Sequence, residues 1–348
     1  MSLETYIAAA PKAELHVHLE GSVRPDTLFM LSERNGAILP ADTIEGLRQW
    51  FVFRDFAHFV QVYLAISTCI RAEEDFELVA YELGAEMARQ NIRYAEITFT
   101  PATYGLGFGV PLETCFAGLT RGRDRARDEF SVEMRWVFDF VHMAHDPAYT
   151  ERAMTYTVDA AIAGMDAAVI ALGLGGSEIG HSFERIAPAF QQARGAGLHS
   201  VPHAGETVGP QSVWGALEFL EAERIGHGVR AAEDPDLVRY LAQNKIALEI
   251  CPTSNIRLGV FPNLESHPLR LLYDAGVPVT VNSDDPPLFN TTLTDELQLL
   301  PGAFDFTLEE IDDVLLNGVR CSFLPDDAKD DLESQFRREL EALKREHL

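Results

Sequence analysis

The chain has 348 residues, of which 47% are hydrophobic and 24% charged, the composition of an ordinary folded protein. Its 28 Lys and Arg residues stand against 54 Asp and Glu residues, and the net charge of −26 disfavours binding to phosphate backbones and anionic lipid. We therefore expect no nucleic-acid partner and no membrane partner. Because the sequence also contains neither a secretory leader pattern nor a long apolar run, we expect a cytoplasmic protein, and the oligomeric state stays open.

Short runs of apolar and β-branched residues recur along the chain, and segments with helical periodicity lie between them. The predicted strands span residues 13–20, 92–100, 134–141, 167–173, 198–203, 224–228, 246–251 and 278–283. The predicted amphipathic helices span residues 73–90, 112–130, 183–195, 212–221 and 234–244. This alternation predicts an α/β fold, a (β/α)8 barrel of the TIM type, with an open doubly wound sheet as the alternative.

One segment between the first two strands exceeds the minimal barrel. Residues 35–72 contain Phe53, Phe56 and Phe59 at helical spacing. Such a row of rings either packs in the core of a helix pair or covers a planar ligand. We predict that residues 35–72 form an inserted helical lid between strands one and two.

The chain shows no sign of a domain boundary. No Pro- or Ser-rich linker, charge block or internal repeat interrupts it, so we expect residues 1–348 to form one domain. Residues 326–348 are predicted to form an amphipathic C-terminal helix on the outside of that domain. The four cysteines are scattered without a C-x-x-C pair, which indicates buried thiols rather than a disulfide framework.

Polar residues gather where the predicted strands end, and catalytic groups of (β/α)8 barrels come from that end. His16 and His18 lie two residues apart on the first strand and therefore on one face. The fifth strand ends in HAGE (203–206), and the eighth ends in NSDDP (282–286). Three histidines and one aspartate form a ligand set suited to a single Zn²⁺, namely His16, His18, His203 and Asp284.

A zinc site of this kind predicts hydrolysis, because zinc lowers the pKa of bound water towards about 7. Glu206, beyond a flexible glycine, is suited to donate a proton, while Asp284 and Asp285 need separate roles as metal ligand and substrate ligand. His227 lies between two glycines at the end of the sixth strand. No lysine occurs in residues 167–176 to bridge two metals, and the chain lacks P-loop, G-x-S-x-G and P-C-x-x-C motifs.

Six motifs spread over nearly the whole chain carry a family resemblance. In chain order they are Lys12–Ser22 (KAELHVHLEGS), Gly173–Glu178 (GLGGSE), His203–Glu206 (HAGE), Glu223–Val229 (ERIGHGV), Glu249–Asn255 (EICPTSN) and Asn282–Phe289 (NSDDPPLF). With these motifs the chain resembles the adenosine and AMP deaminase branch of the metal-dependent hydrolases. The agreement in both content and order makes a chance match implausible.

The resemblance implies a zinc-dependent hydrolytic deaminase with one Zn²⁺ per chain, held by the four ligands named above. Glu206 would protonate N1 of a 6-aminopurine while a hydroxide adds at C6, and His227 would orient that hydroxide. Asp284 would also accept a proton from the water. In substrate binding, Asp285 would bond to N7 and the backbone N–H of Gly176 to N3, with His18 and Glu20 also at the substrate.

The substrate predicted first is adenosine, with 2′-deoxyadenosine, converted to inosine and ammonia. Glu20 argues against adenosine. Members of the family that act on adenosine commonly carry Asp at this position, near the sugar, whereas members that act on adenine commonly carry Glu. The alternatives are adenine or a modified 6-aminopurine nucleoside such as aminodeoxyfutalosine. Another mononuclear zinc amidohydrolase and a barrel that only binds are the remaining alternatives.

Overall fold

The computed structural model of the chain describes residues 2–54 and 56–347, in which parallel strands alternate with helices. The strands are β1 Lys12–His18, β2 Ile92–Phe99, β3 Glu133–His142, β4 Val169–Gly176, β5 His199–Ala204, β6 Arg224–His227, β7 Ala247–Ile250 and β8 Val279–Val281. The helices are α1 Leu3–Ala9, α2 Pro25–Asn35, α3 Ile44–Phe51, α4 Phe56–Cys69, α5 Glu73–Arg89, α6 Leu112–Phe130, α7 Pro147–Ala163, α8 Phe183–Gly195, α9 Pro210–Phe219, α10 Pro235–Asn244, α11 Pro252–Arg257, α12 Leu269–Asp274, α13 Pro286–Phe289, α14 Leu293–Ala303, α15 Leu308–Arg320 and α16 Asp326–His347.

The strands follow one another around the sheet in chain order, from β1 to β8, and each pairs in parallel with the next. Beyond β8, the backbone of Asp284 closes the ring against β1. Its carbonyl accepts from the N–H of His18 at 2.9 Å, and its N–H donates to the carbonyl of His16 at 3.1 Å. The (β/α)8 barrel predicted from the sequence is confirmed, and its closing seam already contains three predicted metal ligands.

The predicted strands agree with the observed ones to within two residues at every boundary except the end of β4. The sequence predicts an end at Gly173, whereas the strand continues to Gly176. The extra residues stay in the sheet because they pair with β3, Gly175 opposite Val141 and Gly176 opposite His142. The glycines at the end of this strand led to a predicted boundary that is three residues too early, because glycine weakens a strand without preventing it.

The barrel interior changes from apolar to polar along its axis. Val137, Ala171 and Val201 form a small buried cluster inside the barrel, separate from the main core between strands and helices. Two residues further along β3 and β5, on the same face, come Asp139 and His203. The polar layer therefore lies at the carboxyl ends of the strands.

The segment predicted as a lid contains α3 and α4. Phe59 stacks on Phe289 of α13 with ring centroids 5.5 Å apart, and Phe53 packs edge-on against both rings. Asp55 and the side chain of Phe56 lie outside the described residues. The insertion packs beside the strand end that carries Asp284 and Asp285, while its role as a lid stays a prediction.

The last helix, α16, follows the boundaries predicted for the C-terminal helix. It packs against α15 and α1 on the outside of the barrel. Among residues 2–54 and 56–347, no helix combines the length and apolar character that crossing a bilayer requires.

Candidate active site

The four predicted metal ligands come together at the carboxyl end of the barrel. Nε2 of His16 and Nε2 of His18 lie 3.4 and 3.3 Å from Oδ1 of Asp284. His203 joins the two β1 histidines in a group whose nitrogen atoms all lie within 4.8 Å of one another. A second group of neighbouring ligand atoms also includes His16, but it contains His227 and Asp284 in place of His18 and His203.

This donor set fits a tetrahedral metal ion. Bonds of about 2.0–2.1 Å to such an ion place its ligand atoms about 3.3–3.4 Å apart. The separations between Oδ1 of Asp284 and the two β1 histidines match that spacing. Nε2 of His16 is buried without a hydrogen-bond partner among the described residues, as expected of an atom that awaits a ligand. Nitrogen donors with one carboxylate suit Zn²⁺, although related divalent ions bind the same atoms.

A buried carboxylate orients the first of these histidines. Oε2 of Glu249 lies 2.9 Å from Nδ1 of His16, so Nδ1–H donates and Nε2 is left for a metal. The other oxygen of Glu249 accepts from Nε of Arg224 at 2.6 Å. Although burial alone would raise it, Arg224 and His16 hold the pKa of Glu249 below its ordinary value. The carboxylate therefore stays charged behind the ligand.

Asp284 is fixed from two sides. Its backbone has φ of +65°, a left-handed conformation that residues other than glycine rarely adopt and that clusters at functional sites. The hydroxyl of Ser254, at the start of α11, donates to Oδ2 of Asp284 at 2.6 Å. Oδ1 is thus turned towards His16 and His18. The β8 strand end was identified from the sequence, whereas the contribution of Ser254 was not.

His227 also has a left-handed backbone, with φ of +59°, at the end of β6. Its Nε2 lies 3.7 Å from Oε1 of Glu206 and 3.9 Å from Oδ2 of Asp284. Its Nδ1 lies 3.3 Å from the side-chain amide of Asn255. Burial lowers the pKa of His227 to about 4, so the ring is neutral near pH 7.

Glu206 is a largely buried carboxyl with one unused oxygen. Its side chain is 15% exposed, and its Oε1 has no hydrogen-bond partner among the described residues. Burial, together with the charges of Asp284 and Glu178, raises the pKa of Glu206 to about 8. The group is therefore protonated at neutral pH and has a proton to donate.

A second carboxylate, Glu178, holds the loop that carries Glu206. Its oxygens accept from the backbone N–H groups of Gly205, Glu206 and Thr207 at 2.7, 2.9 and 2.6 Å. The hydroxyl of Thr207 and the N–H of Val208 add contacts at 3.2 and 3.4 Å. Glu178 closes the GLGGSE motif, but no local pattern indicates its role, because its partners lie 27 to 30 residues further along the chain.

Asp285 faces the same space with an unpaired atom. Its Oδ1 is buried without a partner among the residues described, and burial followed by the charge of Asp284 raises its pKa to about 8. Gly21 lies directly against it, since a Cβ at that position would fall 1.6 Å from Oδ1 of Asp285. Only glycine leaves room for this carboxyl in its present position.

Gly176 ends β4 with φ of +84°, a conformation natural to glycine. A Cβ there would meet the carbonyl oxygen of His142 at 2.8 Å and a methyl group of Val141 at 2.5 Å. The residue is exposed at the strand end, as expected for a backbone group that meets a ligand. The structure thus places this predicted residue on the same rim as the others.

A row of acidic groups follows β1 to β3 around the rim. Glu20 is fully buried and accepts from the hydroxyl of Tyr63 at 3.2 Å and from the N–H of Thr100 at 3.4 Å. The hydroxyl of Thr100 donates to Asp139 at 2.5 Å. Burial raises the pKa of Glu20 to about 7, with a further contribution from Asp139. The sequence did not identify Asp139 as a site residue, although a single acidic residue within the apolar run of β3 could have indicated it.

Two cavities lie away from this cluster. One, of about 990 Å³, opens at the amino ends of the later strands, where His199 and Arg224 line it. The other, of about 820 Å³, lies beside α13 and is lined by Phe53 and Phe289. None of the predicted site residues lines either cavity. Neither cavity therefore coincides with the candidate site, which is defined here by its converging side chains.

Comparison with known proteins agrees with the geometry. The family profile described as adenosine deaminase matches residues 11–338, nearly the whole chain. The fold and site define a metal-dependent hydrolase barrel of this kind. The chain belongs to the adenosine deaminase family.

Relatives within the family carry names that differ from the substrate predicted first. The chain is 43% identical to an aminodeoxyfutalosine deaminase of Streptomyces coelicolor over 323 residues, 92% of this chain and 82% of that protein. It is 37% identical to an adenine deaminase of Cupriavidus necator over 93% of this chain and 90% of that protein. A crystal structure of adenine deaminase from Arthrobacter aurescens superposes with a TM-score of 0.89 at 33% identity, covering 96% of this chain and all of that one. These relatives favour the alternatives of the sequence analysis over adenosine.

Proposed function

We propose that the protein hydrolyses the 6-amino group of a purine, so that water adds at C6 and ammonia leaves. The observation that carries this proposal is the convergence of two buried carboxyls, Glu206 and Asp285, beside the histidine cluster, each with an oxygen that has no partner among the described residues. Burial raises the pKa of both carboxyls, which favours their neutral form near pH 7. A purine offers ring nitrogens on both sides of C6, and each needs a hydrogen-bond donor. Two neutral carboxyls with unpaired oxygens supply such donors.

His16, His18, His203 and Asp284 would hold the metal ion. A bound Zn²⁺ supplies acidified water, whose pKa near about 7 makes a nucleophile available at neutral pH.

Glu206 performs the proton transfer that makes C6 reactive. Addition to C6 disrupts the aromatic ring and moves the electron pair of the C6–N1 double bond onto N1. A proton delivered to N1 by Glu206 bonds to that pair, so no negative charge builds up on the ring. Its raised pKa keeps the proton on Glu206 until substrate arrives. His227, with Nε2 3.7 Å from Glu206 and 3.9 Å from Asp284, lies where it can orient the attacking water.

Asp285 and Gly176 orient the ring. Oδ1 of Asp285 is the unpaired atom suited to N7, and Gly21 leaves the space in which it sits. The N–H of Gly176, on the opposite side of the rim, is suited to N3. His18 and Glu20 complete the contact surface on the β1 side. These assignments extend the family resemblance to the observed positions.

For the substrate we propose aminodeoxyfutalosine. Two proteins named aminodeoxyfutalosine deaminase, from Streptomyces coelicolor and Streptomyces avermitilis, are 43% and 42% identical to this chain over 323 residues. The adenine deaminases reach 37% over a similar span. The higher identity over the same region supports the nucleoside.

Adenine is the second candidate, and one contact favours it. Glu20, which would lie near a sugar, is buried and already bonded to Tyr63. A ligand without a sugar leaves this contact intact, whereas a nucleoside must share or displace it. The structural match to the Arthrobacter aurescens adenine deaminase points the same way.

A comparison of kcat/KM for aminodeoxyfutalosine, adenine, adenosine and 2′-deoxyadenosine with zinc-loaded protein tests the proposal. We expect aminodeoxyfutalosine to exceed the other three by at least about tenfold, a difference of about 1.4 kcal/mol in transition-state binding. Preference for adenine would replace the substrate and keep the chemistry. A matched variant, Glu20→Asp, should raise adenosine turnover relative to the wild type if this carboxylate restricts the sugar. Inactivity towards all four compounds would contradict the proposal.

A further inference from the structure

Three hydrogen bonds connect the backbone of α12 to the ring of His227. The N–H of Leu269 donates to Nδ1 of His267 at 3.2 Å. Nε2 of His267 lies 3.1 Å from Oδ1 of Asn255, and Nδ2 of Asn255 lies 3.3 Å from Nδ1 of His227. Asn255 is fully buried and His267 is 5% exposed, so water does not compete for these bonds.

The direction of each bond follows from the first one. A backbone N–H only donates, so Nδ1 of His267 is an acceptor and the proton of this ring lies on Nε2. That proton is donated to the amide oxygen of Asn255, which turns the Asn255 NH₂ group towards His227. Because the NH₂ group also only donates, Nδ1 of His227 accepts, and the proton of His227 lies on Nε2.

The surroundings of His267 keep its ring neutral, as this chain of bonds requires. Burial lowers the pKa of His267 to about 4. Phe261 and Phe304 pack edge-on against His267, with ring centroids 5.2 and 5.7 Å away. An apolar enclosure of this kind favours the uncharged imidazole and holds its orientation.

We infer that Asn255 and His267 are positioning residues that hold His227 as a hydrogen-bond donor through Nε2. The role of that donor in the reaction rests on the proposed deamination. An Nε2–H group cannot take a proton from the attacking water, so His227 orients the water by donating to its oxygen. Asp284, whose Oδ2 lies 3.9 Å from this nitrogen, is then the group placed to accept the proton.

The Nε2–H tautomer of His227 also indicates which of the two groups of possible ligand atoms can bind the metal. His227 forms one group with His16 and Asp284. A metal needs an unprotonated ring nitrogen, but Nε2 of His227 carries the proton and Nδ1 accepts from Asn255. The hydrogen bonds from Leu269 through His267 and Asn255 to His227, called the relay below, therefore keep His227 from binding the metal. The ligand set then contains His18 and His203 instead.

The test is nitrogen NMR of the zinc-loaded protein with isotope-labelled histidines, which separates Nε2–H from Nδ1–H rings. The His227 signals are assigned by their loss in His227→Asn. We expect Nε2–H in the wild type and Nδ1–H in Asn255→Asp, because a carboxylate accepts where the amide donated. A wrong tautomer costs a catalytic histidine up to about 10⁴-fold in kcat, so we expect Asn255→Asp to lower kcat at least about 100-fold with a much smaller change in KM.

Two variants of His267 test the relay without changing the neighbour of His227. His267→Leu removes the donor to Asn255, so we expect mixed tautomers at His227 and a kcat about tenfold to 100-fold lower. His267→Gln keeps a side-chain NH₂ donor and should restore both the Nε2–H signal and most of kcat.

Other results would overturn the inference. An Nδ1–H signal for His227 in the wild type contradicts it directly, as does an unchanged tautomer in both Asn255→Asp and His267→Leu. If the wild type shows the Nε2–H signal but turns over no 6-aminopurine, the proposed function fails and the relay stands. If it deaminates a purine with His227 in the other tautomer, the relay fails and the proposed function stands.

Discussion

Near the amino end of the barrel one network of buried charged groups is fully paired, whereas at the carboxyl end several buried polar groups keep an atom unpaired among the described residues. Near the amino end, the guanidinium of Arg224 pairs with Glu96 and Glu249. The second oxygen of Glu96 accepts from the hydroxyl of Tyr94 and the N–H of Phe323 at 2.8 and 2.6 Å. Every charged group in this network has a partner of opposite charge or a donor.

At the carboxyl end, buried atoms are left without partners. Oε1 of Glu206, Oδ1 of Asp285 and Nε2 of His16 have none within the described part of the chain. Each unpaired buried polar atom costs about 1–3 kcal/mol, whereas a paired one costs far less. The difference shows where the fold needs stability and where it keeps donors and acceptors ready for a ligand.

The largest effect should follow from Glu206→Gln, which removes the acidic proton and keeps the shape. General acid catalysis contributes about 10²–10⁴-fold, so we expect kcat to fall by that factor. The free energy of unfolding should stay equal or rise, because the variant no longer buries an ionisable group without a partner. Steady-state kinetics and urea unfolding measure the two quantities. A variant that keeps its turnover would show that Glu206 is not the acid.

The opposite pattern is expected for Glu96→Gln in the amino-end network. Breaking a buried ion pair leaves Arg224 partly uncompensated and costs about 3–5 kcal/mol in the free energy of unfolding. Turnover at a temperature well below the unfolding midpoint should change little, since Glu249 still bonds to His16. If Glu96→Gln instead lost much of its kcat and kept its stability, the amino-end network would not have the structural role that distinguishes it from the site at the carboxyl end.

Glu178→Gln should lower kcat while the protein stays folded. The amide replaces one acceptor oxygen by a donor, which faces either the N–H of Gly205 or the N–H groups of Glu206 and Thr207, so the loop with Glu206 must shift. Misplacement by about 1 Å costs about 100-fold in rate.

Asp75→Asn is the matched control for Glu178→Gln. Asp75 is equally buried and accepts from the N–H groups of Arg71 and Ala72 at 3.0 and 2.9 Å, outside the site. Asp75→Asn should reduce stability and leave kcat unchanged. Equal effects of the two variants on kcat would mean that Glu178 acts only through general stability.

The smallest effect is a dependence on pH. Glu206 must be protonated to act, so kcat/KM, which reports the free enzyme, should decline as pH rises through about 8, by about tenfold per unit above it. Its pKa is raised from 4.5 on folding, so the native state binds more protons than the unfolded state, and stability falls as pH increases from 4.5 to about 8. In Glu206→Gln the free energy of unfolding should decrease less over this pH range, because the titrating carboxyl is absent. A rate that stays constant up to pH about 10 would contradict the protonated form.

The sequence predicted the barrel because strand and helix periodicities alternate, and it identified the strand ends because polar residues there have no place in a core. His16, His203 and Asp284 were found in this way. Contacts between distant segments were not accessible, because nothing local marks them. The bond between Glu96 and Arg224 joins positions 128 residues apart, and the relay reaches His227 through a loop after α11. Glu178 was visible as the end of a motif, but its partners were not.

Ammonia release from aminodeoxyfutalosine should be measured side by side for the zinc-loaded wild type and Glu206→Gln. We expect one ammonia for each 6-oxopurine formed by the wild type. We expect almost none from the folded, zinc-containing variant. Absence of ammonia from the wild type with this nucleoside and with adenine, or equal release by the variant, would contradict a deaminase that uses Glu206 as its acid.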